Sequence, residues 1–306
     1  MKNKFAPIVV FVFNRVEYTK LTIEALKKNE LSQYSDLFIY SDIDKNRLDT
    51  NVDKVRRYIS KIDGFKSVTL IERKEHYGLA RSIISGVTEV VNKYGKIIVL
   101  EDDLVVSKYF LSYMNNALNF YVEEKEVMHI AGYVHPIRSD NLEDTYFIKP
   151  TSCWGWATWD RAWKYFRKDV DFYLEEFDQE MIKDFNLNNK YKHFNQIRGN
   201  KSGELNTWAV FWYASVYLNN GLSLHPKHSF VRNIGHNSDN STNCRNTSDY
   251  DVNLFSGYNS KTFAFTTKIE EDKTARRNLE SFFRKKFIKS VFTKVKIIVS
   301  KLSKTD

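Results

Sequence analysis

The chain of 306 residues is 42% hydrophobic, with 4 Pro and 11 Gly, which is typical of a folded globular protein of one large or two small domains. Its 2 cysteines are too few for a disulfide framework or a structural zinc site. Residues 281–306 supply +7 of the formal net charge of +9, so the body is nearly neutral and a general nucleic-acid surface is excluded.

The first hundred residues predict four strand-then-helix units. The predicted strands are 8–13, 37–40, 68–71 and 97–100, and apolar residues at helical spacing lie between them. This alternation predicts an α/β fold with a mostly parallel sheet, built from right-handed crossovers and flanked by helices. Residues 1–7 lack a signal-peptide core and no apolar run reaches about 18 residues, so we expect a cytoplasmic location.

The fourth predicted strand ends on three consecutive acids, Glu101, Asp102 and Asp103, which we call the acid triplet. Ligands of open α/β sheets bind at the carboxyl ends of the strands. Adjacent carboxylates are costly there unless a cation shares the site. Hard oxygen ligands suit Mg²⁺ or Mn²⁺, which would in turn hold a phosphate-bearing substrate. A solvated acidic turn is the structural alternative.

Polar residues also follow the first two predicted strands. Asn14 and Arg15 come after the first strand and Asp42 after the second, on the same edge of the sheet as the acid triplet. The sequence contains neither GxGxxG nor GxxxxGK[ST], which speaks against a dinucleotide fold of the usual kind and against a P-loop. Each residue alone is compatible with an ordinary turn, but together they predict one nucleotide pocket.

Three segments resemble nucleotide-sugar glycosyltransferases of the GT-A fold. They are Val-Phe-Asn-Arg at 12–15, Glu-His-Tyr-Gly-Leu-Ala-Arg at 75–81 and the stretch around the acid triplet at 99–110. The likeness is closest to the N-acetylglucosaminyltransferase I type and its bacterial relatives in surface-polysaccharide synthesis. It implies that Asp103 ligates Mn²⁺ or Mg²⁺, which bridges the donor diphosphate, and that Glu101 and Asp102 face the ribose and the donor sugar.

The same resemblance implies a uridine pocket. Arg15, Asp42 and His76 would surround the uridine. Arg81, about one helical turn beyond His76, would reach the phosphates, and a salt bridge to a neighbouring side chain is the alternative for this residue.

Four of the 6 Trp lie between residues 151 and 163, in a segment that resembles the aromatic stretch beside donor and acceptor in these bacterial enzymes. We expect Trp154 and Trp156 to line the site, because indole faces stack on sugar rings. Trp159 and Trp163 lie at helical spacing and are expected in the core.

The sequence departs from the family at the position of the catalytic base. In the family an acid stands two residues before the Trp that aligns with Trp208, and here that position is Asn206. An amide cannot take a proton from an acceptor hydroxyl. Glu204 is the nearest carboxylate and our candidate base, and His236 is another candidate. His236 follows Asn-Ile-Gly at 233–235, which resembles a turn near the active site of family members.

The C-terminal segment predicts a basic amphipathic helix over 279–306, lying on an anionic membrane surface or, alternatively, packed on the domain. It would follow a GT-A-like domain at 1–278, with a nucleotide-binding half at 1–106 and an acceptor-side half at 107–278. The apolar residues of the helix are Leu279, Phe283, Phe287, Ile288, Val291, Phe292, Val295, Ile298, Val299 and Leu302.

We therefore expect a metal-dependent glycosyltransferase that moves a hexosyl or N-acetylhexosaminyl group from a UDP-sugar to a glycan or lipid-linked glycan acceptor. The resemblance implies inversion and a role in surface-polysaccharide synthesis, and the basic C-terminal helix predicts a peripheral position on the inner face of the membrane. Two alternatives remain. One is a catalytically impaired, sugar-nucleotide-binding relative, which Asn206 permits, and the other is a nucleotidyltransferase.

Overall fold

The computed structural model describes residues 4–235, 248–257 and 263–302, with the side chains of the last helix described up to Lys289 and at Phe292. Within these ranges the strands are β1 (Ile8–Val12), β2 (Asp36–Ser41), β3 (Ser67–Glu72), β4 (Lys96–Glu101), β5 (Leu104–Val106), β6 (Val127–Ala131), β7 (Thr145–Ile148), β8 (Trp156–Trp159), β9 (Leu222–Pro226) and β10 (Val231–Asn233). The helices are α1 (Val16–Lys27), α2 (Thr50–Ile59), α3 (Gly78–Tyr94), α4 (Phe110–Phe120), α5 (Asp160–Trp163), α6 (Val170–Glu176), α7 (Gln179–Phe185), α8 (His193–Lys201), α9 (Ala209–Leu218) and α10 (Lys273–Leu302).

Eight of these strands form one sheet in the order β3-β2-β1-β4-β8-β6-β9-β7, and β5 pairs with β10 in a separate antiparallel ribbon. The neighbours β3, β2, β1 and β4 are parallel, which confirms the four predicted strands. β8 and β7 run antiparallel to their neighbours, whereas β6 and β9 are parallel. The prediction of an α/β fold with a mostly parallel sheet is confirmed, and the arrangement is consistent with a GT-A-like fold.

The sheet has a hydrophobic core on each face. Ile8, Val10 and Val12 of β1 pack into one core with α1 and α4, and the alternate residues Val9 and Phe11 pack into the other with α3 and α9. Because successive side chains of a strand point to opposite faces, a strand covered on both faces is a continuous apolar run. This explains why β1 and β4 were evident in the sequence.

The order of the strands reverses between β1 and β4. The chain adds β2 and β3 on one side of β1 and then places β4 on the other side. At such a switch point a crevice opens outside the carboxyl ends of the two strands, which is where ligands of open α/β sheets bind. Arg15 follows β1 and the acid triplet follows β4, so both lie at this crevice.

Helix α10 begins at Lys273, earlier than the predicted start at 279. Its side chains Leu279 and Phe283 are buried, whereas Phe287 and Phe292 are 61% and 64% exposed. The alternative that the helix packs on the domain therefore holds for its first three turns, and the domain boundary at 279 stays a prediction. In the described ranges, we find no helix with the length and apolar character needed to cross a bilayer.

Candidate active site

The acid triplet lies at the end of β4 and in the turn to β5. One guanidinium nitrogen of Arg15, Nη2, serves two of its members: it donates to Asp102 Oδ1 and lies 3.0 Å from Asp103 Oδ2. The Glu101 carboxylate has no hydrogen bond or ion pair with the residues that the structure describes. The structure thus brings Arg15 and the acid triplet together, so the acids are not a freely solvated turn.

The acid triplet is short of positive charge. Burial, and then the charges of Asp103 and Asp102, raise the pKa of Glu101 to about 8, and Arg15 offsets only part of this rise. Burial also raises the pKa of Asp102 to about 6 despite the opposing effect of Arg15. The ordinary pKa of either side chain is about 4. One arginine is therefore not enough to hold the carboxylates fully ionised, and a further cation would be stabilised here.

The carboxylates fit an ion that is held jointly with a substrate. Asp102 and Asp103 each direct an oxygen at the same nitrogen of Arg15, so they converge on one position. In the described parts of the chain, no group of three or more His, Cys, Asp or Glu side chains is arranged to hold a metal ion. Mg²⁺ typically binds through one or two carboxylates together with waters and substrate phosphates. The adjacent Asp102 and Asp103 match that pattern in number, and the described residues form no closed protein cage.

The segment after β10 packs against Asp103. The Ile234 N–H donates to the Asp103 carbonyl oxygen at 2.9 Å, and the Gly235 N–H donates to Asn233 Oδ1 at 2.8 Å. A Cβ atom on Gly235 would collide with the Asp103 carboxylate. The Asn-Ile-Gly turn thus lies beside the acid triplet, and a glycine is needed for this close approach. His236, the other candidate base, lies outside the described residues.

Asp42 fixes the loop that leads into α3. Its Oδ1 accepts hydrogen bonds from the N–H groups of Ile43 and Tyr77 at 2.9 and 3.0 Å, and its Oδ2 accepts one from Gly78 at 2.8 Å. His76 Nδ1 lies 2.6 Å from the Ile43 carbonyl oxygen and 3.2 Å from Asp42 Oδ2. The structure therefore brings Asp42 and His76 together, with Asp42 orienting the loop that carries His76.

Two residues at this edge, Asp49 and Phe13, were not predicted from the sequence. Asn14 Nδ2 donates to Asp49 Oδ2 at 2.5 Å, so Asn14 is tied to the N-terminus of α2. The Phe13 ring lies 6.2 Å from the His76 ring. Asp49 was identifiable as an acid just before a helical pattern, which is the usual signal of a helix cap. Phe13 carried no signal beyond its place at the end of β1.

Arg81 lies in the first turn of α3 and is exposed. Its guanidinium pairs with Glu75 at 3.1 Å and covers the Tyr77 ring at 3.7 Å. It has no hydrogen bond or ion pair with the acid triplet, which the structure describes in full. The salt-bridge alternative for Arg81 is therefore observed, and its contact with phosphates stays a prediction.

The two tryptophans expected at the site take different positions. Trp156 is 1% exposed, and its ring lies 5.5 Å from that of Trp208 in the core. The prediction that Trp156 lines the site is wrong, because β8 pairs with β4 in the middle of the sheet and leaves this indole no accessible face. Trp154 is half-buried, and its role stays a prediction. Trp159 and Trp163 are core residues, as predicted.

The loop before α9 carries the candidate base. Glu204 is exposed and has no hydrogen bond or ion pair with the described residues. Asn206 Oδ1 accepts a hydrogen bond from Lys168 Nζ at 2.5 Å. A lysine is therefore the charged neighbour of the position where the family carries an acid, and Glu204 as the base stays a prediction.

No protein-family model and no curated protein sequence matches this chain. Among solved structures, the chain is similar to the mannosyltransferase PcManGT from Pyrobaculum calidifontis, in complex with GDP-Man and Mn²⁺, at 10% sequence identity and a TM-score of 0.42. The aligned region covers 72% of this chain and 71% of the mannosyltransferase chain. S. aureus TarS is 9% identical, covers 74% of this chain and 36% of its own, and also has a TM-score of 0.42. Mouse xyloside xylosyltransferase 1, in the apo form, is 9% identical, covers 65% of this chain and 83% of its own, and has a TM-score of 0.33. TM-scores this low establish neither a family nor an activity for the chain.

Proposed function

We propose that this chain is a metal-dependent glycosyltransferase, which moves a sugar from a UDP-sugar to a glycan or lipid-linked glycan acceptor. One observation carries the proposal: three consecutive carboxylates, two of them with raised pKa values, lie at the switch point of the sheet, and Arg15 pairs with only two of them. This edge is where open α/β sheets bind nucleotides. A divalent ion bound with a diphosphate supplies the kind of cation that the acid triplet lacks.

Arg15 and the members of the acid triplet would have different roles in binding the donor. Asp103, with Asp102 beside it, would hold Mn²⁺ or Mg²⁺, which when bound neutralises the charge of the diphosphate leaving group. Arg15 adds a positive charge 3.0 Å from Asp103 Oδ2 and would contact the same anion, in place of the uridine contact that the resemblance implies. Glu101 has no partner among the described residues and is available to accept hydrogen bonds from donor hydroxyl groups.

The loop before α3 would bind the nucleoside. Asp42 holds this loop through three backbone N–H groups. His76 Nδ1 is hydrogen-bonded to the Ile43 carbonyl oxygen, which leaves Nε2 and the exposed ring to contact the nucleobase of the donor. The Phe13 ring lies 6.2 Å from the His76 ring between ring centres, and it would offer a second aromatic surface.

Glu204 is the proposed base for the acceptor hydroxyl. A positioned base contributes typically about 10²–10⁴-fold in rate. Glu204→Gln should therefore lower turnover by at least about 10²-fold with donor affinity nearly unchanged. Glu176→Gln, which alters an exposed glutamate of α6, is the matched control.

Asn206 favours a second candidate, the impaired sugar-nucleotide-binding relative. If Asn206→Asp raises turnover strongly while Glu204→Gln is silent, the chain is such a relative and Glu204 is an ordinary loop residue. If Glu204 is the base, Asn206→Asp should be neutral or harmful, because the new carboxylate would pair with Lys168.

The exposed part of α10 supports a membrane-bound acceptor. Phe287, Ile288 and Phe292 are exposed apolar residues, and the segment around them is rich in Lys and Arg. Apolar side chains and cations on one helix bind anionic lipid surfaces. A protein held there would meet a lipid-linked glycan on the inner face of the membrane.

Product analysis tests the proposed function. The chain is incubated with a panel of nucleotide sugars and Mn²⁺, with and without glycan acceptors. Formation of free UDP together with a glycosylated acceptor is the expected result. Release of pyrophosphate in a parallel incubation with UTP and a sugar 1-phosphate would instead identify a nucleotidyltransferase. Donor binding with neither product would identify a binding protein, and both of these outcomes contradict the proposal.

A further inference from the structure

A cleft of about 640 Å³ lies beside α3, separate from the acid triplet. Its lining includes Arg81, Ser85 and Thr88 of α3, together with Lys168 and Asn206 from other parts of the chain. Small-molecule sites typically have volumes of about 300–1,000 Å³. The cleft is therefore large enough for a sugar-sized ligand.

The cleft begins next to the proposed nucleoside pocket. Helix α3 starts at Gly78, whose N–H binds Asp42, and Arg81 lies in its first turn. Ser85 and Thr88 follow Arg81 at spacings of four and three residues, so they share one side of the helix. At a rise of 1.5 Å per residue this stretch is about 10 Å long. A ligand in the cleft would thus lie beside the donor.

Lys168 is a cation without a counterion. Its Nζ donates to the neutral amide of Asn206, and no carboxylate in the described parts of the chain pairs with it. Burial lowers the pKa of Lys168, although the side chain stays accessible. The nearby Lys201, in contrast, is paired with Asp171. An anion entering the cleft would therefore meet an uncompensated positive charge.

Arg81 provides a second accessible cation in the lining of the cleft. Its partner Glu75 is itself exposed, and exposed ion pairs contribute little stability. Arg81 can therefore exchange Glu75 for an anionic ligand at small cost. The one acid of the lining, Glu89, accepts a hydrogen bond from the Tyr40 hydroxyl at 3.0 Å.

We infer that this cleft binds the acceptor through an anionic group on a sugar, a carboxylate or a phosphate, held between Lys168 and Arg81. The inference rests on the proposed function, because it takes the cleft to be the acceptor side of a donor site. It also accounts for the amide of Asn206. A carboxylate at position 206 would pair with Lys168 and cancel the charge that the acceptor needs.

Calorimetry with three probes on the full chain tests this inference. A glucuronic acid tetrasaccharide carries carboxylates, glucose 6-phosphate carries a phosphate, and a glucose tetrasaccharide is neutral. At low salt, we expect at least one anionic probe to bind about tenfold or more tightly than the neutral one. The probe that shows this preference identifies the anionic group of the acceptor.

Lys168→Met should remove that preference, whereas Lys164→Met should keep it. Lys164 is an exposed lysine four residues away that does not line the cleft, and it is the matched control. Asn206→Asp should weaken anionic binding in the same direction as Lys168→Met. Equal binding of neutral and anionic probes, or equal effects of the two lysine substitutions, would overturn the inference.

Donor binding separates this inference from the proposed function. UDP with Mn²⁺ is titrated into the same preparation of the wild-type chain. Donor binding without any preference for anionic probes contradicts only the inference about the cleft. An absence of donor binding contradicts the proposed function itself.

Discussion

Arg15 and Arg276 each lie among three carboxylates, but they contact them differently. Arg276 uses a separate nitrogen for each acid: Nη2 for Asp184 at 2.9 Å, Nη1 for Glu271 at 3.2 Å and Nε for Glu280 at 2.9 Å. We call these four residues the Arg276 cluster. Arg15 uses one nitrogen for two members of the acid triplet and leaves Glu101 without a contact.

The pKa values follow this difference. Burial raises the pKa of Asp184, but Lys149, at 2.9 Å, and Arg276 outweigh burial and the net pKa lies below its ordinary value. The pKa values of Glu101 and Asp102 lie well above theirs. The cations of the Arg276 cluster therefore compensate the carboxylate charge there, and the cluster links α7 to α10. In the acid triplet the carboxylate charge is not fully compensated by Arg15, which is expected of a site that binds a cation together with its ligand.

Truncation of α10 should have the largest effect on stability. Deleting residues 279–306 removes Glu280 from the Arg276 cluster together with the buried side chains of Leu279 and Phe283. Truncating a buried Leu or Phe to Ala alone costs about 2–5 kcal/mol, so this deletion should unfold or strongly destabilise the body. Deleting residues 290–306 should leave the unfolding midpoint nearly unchanged.

The shorter deletion also tests the membrane proposal. Removing residues 290–306 should weaken sedimentation with anionic vesicles, because it removes four Lys residues and the exposed Phe292 together. Vesicle binding at the wild-type level after this deletion would contradict a role of residues 290–306 in the membrane contact.

Removing each arginine should sharpen the contrast between the two clusters. Arg276→Met leaves ionised carboxylates in a largely buried site and should cost about 2–4 kcal/mol, somewhat below the usual value for a broken buried pair because Asp184 is partly exposed. Arg15→Met should cost only about 1 kcal/mol, because Asp102 already titrates near pH 6 and can take up a proton. Urea unfolding of both variants at pH 7 measures these values, and equal losses would contradict the distinction.

A pH-dependent effect concerns His193, which lies in the region of the Arg276 cluster. Burial, and then the charge of Arg276, lower the pKa of His193 to about 3, against an ordinary value of about 6.5. Since the unfolded chain binds the proton more tightly, this histidine makes stability fall as the pH drops below about 6.5, by about 1.4 kcal/mol per unit. His193→Phe should show a shallower loss between pH 6.5 and 4.5 than the wild type. Parallel profiles would show that His193 does not titrate on unfolding.

The first half of the fold was predictable because its strands are continuous apolar runs. β1 and β4 are covered on both faces, so their residues and the polar positions after them could be placed without the structure. β6, β7, β8 and β9 were harder, because buried polar residues such as His129 and His225 interrupt the apolar runs of β6 and β9, and because all four strands pair over long distances in the sequence. The burial of Trp156 is a consequence of that pairing, which the local aromatic pattern does not contain.

The site was predictable as a set of residues but not as a set of contacts. The acid triplet, Arg15 and the pair of Asp42 and His76 were all identified from strand ends or from resemblance. The sequence did not reveal that Arg15 would bind the acids instead of lying free in the pocket. It also did not reveal Lys168, which comes next to Asn206 only through the packing of distant loops.

The most direct test of the account compares one acid from each cluster. UDP is titrated calorimetrically into the wild type, Asp103→Ala and Glu280→Ala, each with Mn²⁺ and with EDTA. We expect Mn²⁺-dependent UDP binding in the wild type and in Glu280→Ala, and its loss in a folded Asp103→Ala variant, because Asp103 belongs to the acid triplet, whose charge is not fully compensated. Unchanged Mn²⁺-dependent affinity in folded Asp103→Ala would contradict the assignment of the acid triplet as the metal and donor site.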